Sequence, residues 1–292
     1  RVNSGGMQLK EGDFILTLIS VHWVEGRKLI ETFCQNAQTA GTAEYNPLFN
    51  PDTIHIIRTV MTYGFKRGRL RYAYMLLRGK DLDTGVFSEE KQEDVFEQLK
   101  ESVSTVLHLE NWKEFMKCLQ TAGYVNAKMI SSQNAIAYCY ALYLIGKHTY
   151  KVDQKTLRNL IARWTYMSLV TGRYTNSPES MVEQDLADMR SVTTAEEFKE
   201  YIDRKIAAQF TEDYFNITIP ENLATSASNS PAWNGYCAAL SVLSANTLFS
   251  SLPIRELFQG YASGNKSSLE RHHLFPKNYL SNIGVAASRE QN

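Results

Sequence analysis

From Ala135 to Ile145 the chain reads Ala-Ile-Ala-Tyr-Cys-Tyr-Ala-Leu-Tyr-Leu-Ile, without a charged residue. A helix apolar on every face has no side to give to water, so it must lie at the centre of other helices that close over it. Those helices are legible as stripes. Val95, Phe96, Leu99, Val103, Val106 and Leu107 recur at spacings of three and four, as do Leu157, Leu160, Ile161, Trp164 and Met167, and then Phe198, Tyr201, Ile202 and Ile206. Start signals mark further helices: Asn50 before Pro51, Ser177 before Pro178, and Thr193 with Glu196 three residues on, where side-chain oxygens can satisfy free amides of a first turn. The pattern predicts helices near 10–23, 26–38, 51–63, 67–78, 89–109, 111–122, 131–146, 153–171, 178–190, 194–209 and 235–249. No repeat of fixed period accompanies them, which argues against a solenoid.

Composition agrees with an all-α, multi-helix domain. Gly at 16 and Pro at 7 among 292 residues fall below average usage of roughly 7% and 5%, against a turn-rich β sandwich. Thirty-one basic residues balance 31 acidic ones, so an anionic partner must meet a local patch rather than a global field. The cysteines Cys34, Cys118, Cys139 and Cys237 are far apart and form no Cys-x-x-Cys pair; they read as buried thiols of a reducing, cytoplasmic compartment rather than as a disulfide or zinc framework. The longest uncharged stretch, Asn222 to Ile254, is interrupted by Pro231, Asn234, Asn246 and Pro253, which favours a buried helix over a membrane span.

After Ser250 the helical stripe gives way to Gly264, Ser267, Ser268, Pro276 and Gly284, the pattern of a linker entering a small α+β element. Four histidines, His22, His55, His108 and His148, stand singly in helical segments and read as structural or surface residues. The other two are adjacent, in Leu269-Glu270-Arg271-His272-His273-Leu274-Phe275-Pro276-Lys277. Neighbouring side chains in a strand point to opposite faces, so the two imidazoles would not bind one ion from the same side. At a bending strand end one could ligate a divalent metal while the other accepts a proton from water, a task suited to an unperturbed pKa of about 6.5. The dipeptide by itself arises readily by chance in a chain with six histidines.

The nine residues from His272 to Leu280 (His-His-Leu-Phe-Pro-Lys-Asn-Tyr-Leu) resemble the first half of the His-Me finger, HNH-type nuclease domain at the C-terminal end of GmrSD-type modification-dependent restriction enzymes. Arg1-Val2-Asn3-Ser4-Gly5-Gly6, with Leu9 and Asp13, resembles the segment that closes the ParB-like nucleotidase domain of the same family. Between these landmarks Leu77-Arg78-Gly79-Lys80-Asp81 and Thr171-Gly172-Arg173-Tyr174 are similar to recurring family features without assignable chemistry; by themselves they read as helix termini and turn packing.

The resemblance implies a metal-dependent DNA endonuclease acting in prokaryotic defence on modified or phage DNA. It implies His273 as the general base that activates water, His272 as a ligand of Mg²⁺ or Mn²⁺, and Lys266, Arg271 and Lys277 as groups holding the phosphodiester. It divides the chain into the tail of an upstream domain (1–9), a helical domain (10–252), and a linker with the first part of the nuclease domain (253–292). DNA is the implied partner, with a homodimer left open and no membrane. The family's Asp-Gly-Gln-Gln-Arg nucleotidase run is absent, so a nucleotide is expected only through an upstream domain. The first residue is Arg1, which suggests numbering that starts inside a longer chain. Only 292 − 273 = 19 residues follow His273, so the α+β element of the ββα-metal type is expected to be incomplete and the chain as it stands to have little activity. Asn282 and Asn292 are available, but the missing ligand position is expected beyond them.

Two rivals stand beside this reading. One is a non-catalytic helical scaffold that links functional domains, with the histidines incidental. The other is a nucleic-acid-binding module acting through Lys66, Arg67, Arg69, Arg71, Arg78 and Lys80, interleaved with Phe65, Tyr72 and Tyr74. The plainer expectation for that run is a solvated face neutralised by the following Glu89, Glu90, Glu93, Asp94 and Glu97.

Overall fold

The computed structural model describes residues 11–38, 48–82, 84–224, 230–248, 250–259 and 277–284. Among them the chain forms α1 (Glu11–His22), α2 (Val24–Gln38), α3 (Thr53–Phe65), α4 (Leu70–Leu77), α5 (Glu89–Val106), α6 (Leu109–Thr121), α7 (Gln133–Leu144), α8 (Gln154–Val170), α9 (Pro178–Asp188), α10 (Ala195–Gln209), α11 (Ile219–Leu223), α12 (Pro231–Val242), α13 (Ile254–Gln259) and α14 (Lys277–Asn282). The described residues contain no strand, only two isolated bridges, Lys80 with Phe87 and Asn246 with Pro253. The fold is all-α.

The charge-free run is α7, and every residue from Ala135 to Leu144 is buried. Ser132 starts it by accepting a hydrogen bond from the Ala135 amide at 3.2 Å. Its neighbours are α3 on one side and α8 on another, with α5 behind α3, and with α6, α10 and α12 packed on α8. Of the three α7 tyrosines, two find partners for their buried hydroxyls and Tyr143 has none among the described residues. Tyr140 donates to the Val106 carbonyl at 2.7 Å, and the Tyr138 hydroxyl accepts from Arg58 at 2.8 Å. The three stripes face this centre: Val95, Leu99, Val103, Leu157, Ile161, Trp164, Met167, Phe198, Tyr201 and Ile202 are all buried.

Every expected helix has a counterpart, but several start signals shift. Asp52 rather than Asn50 caps α3, because Asp52 accepts from the His55 amide at 3.0 Å while the Asp52 amide donates to His55 Nδ1 at 3.1 Å. Thr194 with Glu197, one residue later than Thr193 with Glu196, forms the reciprocal cap of α10. Ser177 precedes α9 without a side-chain cap bond, leaving Pro178 at the first turn as the start signal. The last long helix starts at Pro231, not near 235, because Ser230 accepts from the Trp233 amide at 3.1 Å and Pro231 presets the first turn. It ends at Val242, shortly before Ser244 takes a left-handed conformation with φ 53°. The short helices α11, α13 and α14 were not expected, because five or six residues carry no readable stripe.

The uncharged stretch from Asn222 to Ile254 is not one helix, and among the described residues none is long and apolar enough to cross a membrane. Nor is its main helix wholly buried. In α12 the small residues Ala232, Gly235, Cys237, Ala238 and Ser241 turn inward, whereas Tyr236 and Val242 remain exposed. Beyond it, α13 docks on the helical body through buried Phe258, whose carbonyl accepts from Asn126 at 3.1 Å.

Candidate functional site

The residues that carry the nuclease resemblance lie mostly outside those described. His272, His273, Lys266 and Arg271 fall there, as does most of the expected α+β element. Lys277 opens α14, whose described side chains include buried Leu280 and exposed Tyr279, and exposed Ile283 follows the helix. The four single histidines have ordinary surroundings. His55 belongs to the α3 cap, His22 packs on Phe96 at 4.9 Å, His108 precedes α6, and a ring nitrogen of His148 lies 3.4 Å from Asn111 Oδ1.

The basic run from Lys66 to Lys80 is fully described and forms the corner between α3 and α4. Lys66 ends α3 in a left-handed conformation, φ 53°, and its ammonium donates to the Tyr63 carbonyl, which suits the negative end of that helix. The chain then turns at Gly68, where a Cβ would meet the Glu179 carbonyl at 2.9 Å, so only glycine lets the corner approach α9 this closely. Glu183 of α9 fixes the turn by accepting from the Gly68 amide at 2.7 Å and the Arg69 amide at 3.2 Å.

From this corner the cations spread along α4 against aromatic rings. Arg67 and Arg71 lie 5.5 and 5.0 Å from the centre of Tyr72. Arg78 lies 5.4 Å from Tyr74 and 5.7 Å from Phe87, and Lys80 lies 5.5 Å from Phe87. Two guanidiniums also donate to tyrosine hydroxyls: Arg71 to Tyr72 at 3.2 Å and Arg78 to Tyr74 at 2.8 Å. Arg69 reaches Ser180 Oγ at 3.4 Å. Beside Arg67 opens a cleft of about 460 Å³, at which Lys66 and Arg190 also meet.

The expected neutralisation by the acidic run does not occur among the described residues. Glu97 pairs with Lys100 at 2.7 Å, and Lys91, inside the acidic run, pairs with Asp81 at 3.6 Å. None of Arg67, Arg69, Arg71, Arg78 and Lys80 forms an ion pair there. The reason is local. A tight turn, Lys80 to Phe87, separates the two runs; it needs Gly79 at φ 77°, and Phe87 rather than a carboxylate meets Arg78 and Lys80.

A second arginine–tyrosine assembly lies inside the protein. Arg173 pairs with Asp185 through both carboxylate oxygens, the two side chains being 7% and 6% exposed. Tyr174 donates to Asp185 Oδ2 at 2.8 Å, Tyr201 donates to the Asp185 carbonyl at 3.2 Å, and Arg173 lies 5.3 Å from the ring of Trp164. Burial by itself would lower the Arg173 pKa, but the Asp185 hydrogen bonds and charge raise it. The Thr171–Tyr174 turn thus supplies a structural clamp between α8, α9 and α10. Its acid, Asp185, had no distinguishing sequence signal.

A second buried carboxylate, Glu114, is held by Lys117 at 2.5 Å and Arg158 at 2.7 Å. Burial pushes it up, but hydrogen bonds from Lys117, Arg158 and Gln154 win and bring it to about 2. The four cysteines are buried and form no disulfide among the described residues, and burial pushes the Cys34, Cys118 and Cys139 thiols up to about 12, far from nucleophilic. Among the described residues no three His, Cys, Asp or Glu side chains are grouped to hold a metal ion. No protein-family model, curated protein or solved structure matches this chain.

Proposed function

We propose that this chain is the helical scaffold and the opening of the nuclease element of a GmrSD-type, metal-dependent DNA endonuclease, acting in the cytoplasm on modified or phage DNA. The supporting observation is how the helical body and the histidine motif divide the chemistry-bearing residues. Inside the body the acids Asp185 and Glu114 are tied to cations and the cysteines are sealed in apolar packing, an interior built for rigidity rather than turnover. The motif that resembles a nuclease, His272-His273-Leu274-Phe275-Pro276-Lys277, comes after α13 in the sequence and apart from the residues that build that interior.

In this reading His273 takes the proton from a water molecule attacking phosphorus, and His272 contributes to holding Mg²⁺ or Mn²⁺. When bound, the ion stabilises charge on the phosphate and the leaving oxygen. Lys266, Arg271 and Lys277 hold the phosphodiester. The test is His273→Ala in the full-length protein, assayed for nicking of modified plasmid DNA with Mg²⁺ or Mn²⁺. Nicking falls at least about 100-fold, the scale of a lost general base, while DNA affinity stays within a few-fold. Undiminished nicking overturns the assignment.

A further inference from the structure

We infer that the α4 ridge, Arg67, Arg69, Arg71, Arg78 and Lys80, is a second anion-binding surface that grips the phosphate backbone of duplex nucleic acid. It rests on the proposed function only for the choice of duplex DNA as the polyanion. The ridge is distinct from the motif residues Lys266, Arg271 and Lys277. Elsewhere, five of the eight described arginines are tied to carboxylates: Arg27 to Glu31, Arg58 to Glu179, Arg158 to Glu114, Arg163 to Asp203 and Arg173 to Asp185; Arg190, Arg204 and Arg255 are not. On the ridge, among the described residues, neighbouring acids are engaged otherwise. Glu179 is paired with Arg58 and Glu183 holds the Gly68 and Arg69 amides. The ridge cations therefore have no direct ion pair among the described residues, Glu183 and Glu179 acting on Arg71 only from a distance, on a protein with no net charge; cations left open in this way are what a polyanion site requires.

The rings explain why these side chains are ready to bind. A free arginine loses rotamer entropy when it grips a phosphate. Tyr72 holds Arg71, and Tyr74 with Phe87 holds Arg78, by ring contacts and hydroxyl bonds, so part of that ordering is complete beforehand. Tyr72 and Tyr74, half-buried and covered in this way, are not free to stack on bases, while Phe87 stays exposed; with two of the three rings occupied, backbone contact with a duplex is favoured over capture of unpaired bases. The spacing fits. Arg71 and Arg78 are seven residues apart on one helical face, about 10 Å at a rise of 1.5 Å per residue. A DNA strand offers a phosphate about every 3.4 Å of axis, so this span faces roughly three.

The experiment measures binding of a labelled duplex of about 30 base pairs by the full chain over roughly 50 to 300 mM salt. Arg67→Gln, Arg71→Gln and Arg78→Gln are combined, and circular dichroism and the urea midpoint report folding. Removing three phosphate contacts flattens the slope of log affinity against log salt by about 2.7 and weakens binding near 0.1 M salt on the order of 100-fold. The same three positions changed to Lys keep the slope. An unchanged slope in the folded Gln variant, or wild-type protein that ignores the duplex at low salt, overturns the inference. So does arginine-dependent binding to phosphatidylserine vesicles without duplex binding, which assigns the ridge to a membrane surface. His273→Ala separates the two proposals. Nicking lost there with duplex binding unaffected by the Gln changes sinks the ridge alone, whereas nicking retained there with binding lost in the Gln variant sinks the nuclease reading alone.

Discussion

The protein sets arginine against tyrosine both in its interior and on its surface, and the assembly around Asp185 differs from the one along α4 by one carboxylate. Around Asp185, Arg173 and the hydroxyls of Tyr174 and Tyr201 converge on a single buried acid. Along α4, Arg67, Arg71 and Arg78 rest on Tyr72, Tyr74 and Phe87, and among the described residues no acid closes the pairing. A buried guanidinium without its counter-charge costs several kcal/mol, so the inner carboxylate is required by folding. A surface guanidinium keeps its hydration, so folding places no such demand on it and its charge stays available.

The sharpest way to break this comparison is Asp185→Asn, which preserves size but leaves Arg173 buried and unmatched. The expected loss is about 3–5 kcal/mol in urea unfolding. Replacing both partners together, Arg173→Met with Asp185→Leu, costs less than the single change, because no orphaned charge remains. A loss below about 1 kcal/mol for Asp185→Asn would show that the clamp is ornamental to folding and that the contrast with the ridge is empty.

Glu114 offers a smaller and pH-dependent version of the same contrast. Its carboxyl is held at about 2 against an ordinary value of 4.5. A depressed folded-state value means stability that is fully present above pH 4.5 and is lost as pH falls from there through about 2. Glu114→Gln is therefore less stable than wild type at neutral pH, and the gap closes over that acid window. Thermal melts at stepped pH check it. A gap that stays constant down to about pH 2 would mean that the Lys117 and Arg158 contacts contribute nothing through charge.

How much of this was legible beforehand follows from the range of the interactions. The fate of α7 was readable because it depends only on side-chain type: a run with no polar face has one place to go, and all of it from Ala135 to Leu144 is buried. Helix starts were readable to within a few residues, since Asn50, Asp52, Thr193 and Thr194 are all competent caps and tertiary packing chooses among them. Asp185 was not readable. Its role depends on α9 meeting the Thr171–Tyr174 turn and α10, and nothing in its immediate sequence separates it from Asp188, which pairs with Lys205 at 2.5 Å near the surface. The ridge residues are visible in the sequence, but their pairing is not. Sequence proximity suggested that Glu89 to Glu97 would neutralise Lys66 to Lys80, whereas the Gly79 turn and Phe87 keep the two apart.

The smallest expected effect is the most discriminating. Arg71 and Arg78 are exposed, pair with no carboxylate among the described residues, and touch only rings and hydroxyls of their own helix and of the turn that follows it. Exposed contacts of this kind contribute little, so Arg71→Gln with Arg78→Gln should shift unfolding free energy by no more than about 0.5–1 kcal/mol. Were the ridge simply the outer skin of the helical body, near-neutral stability would go with unchanged affinity for polyanions. If stability holds while duplex binding falls, the two arginines act on a partner and not on the fold. If stability falls as far as in Asp185→Asn, the ridge is a second clamp, and the distinction drawn from the missing carboxylate is wrong.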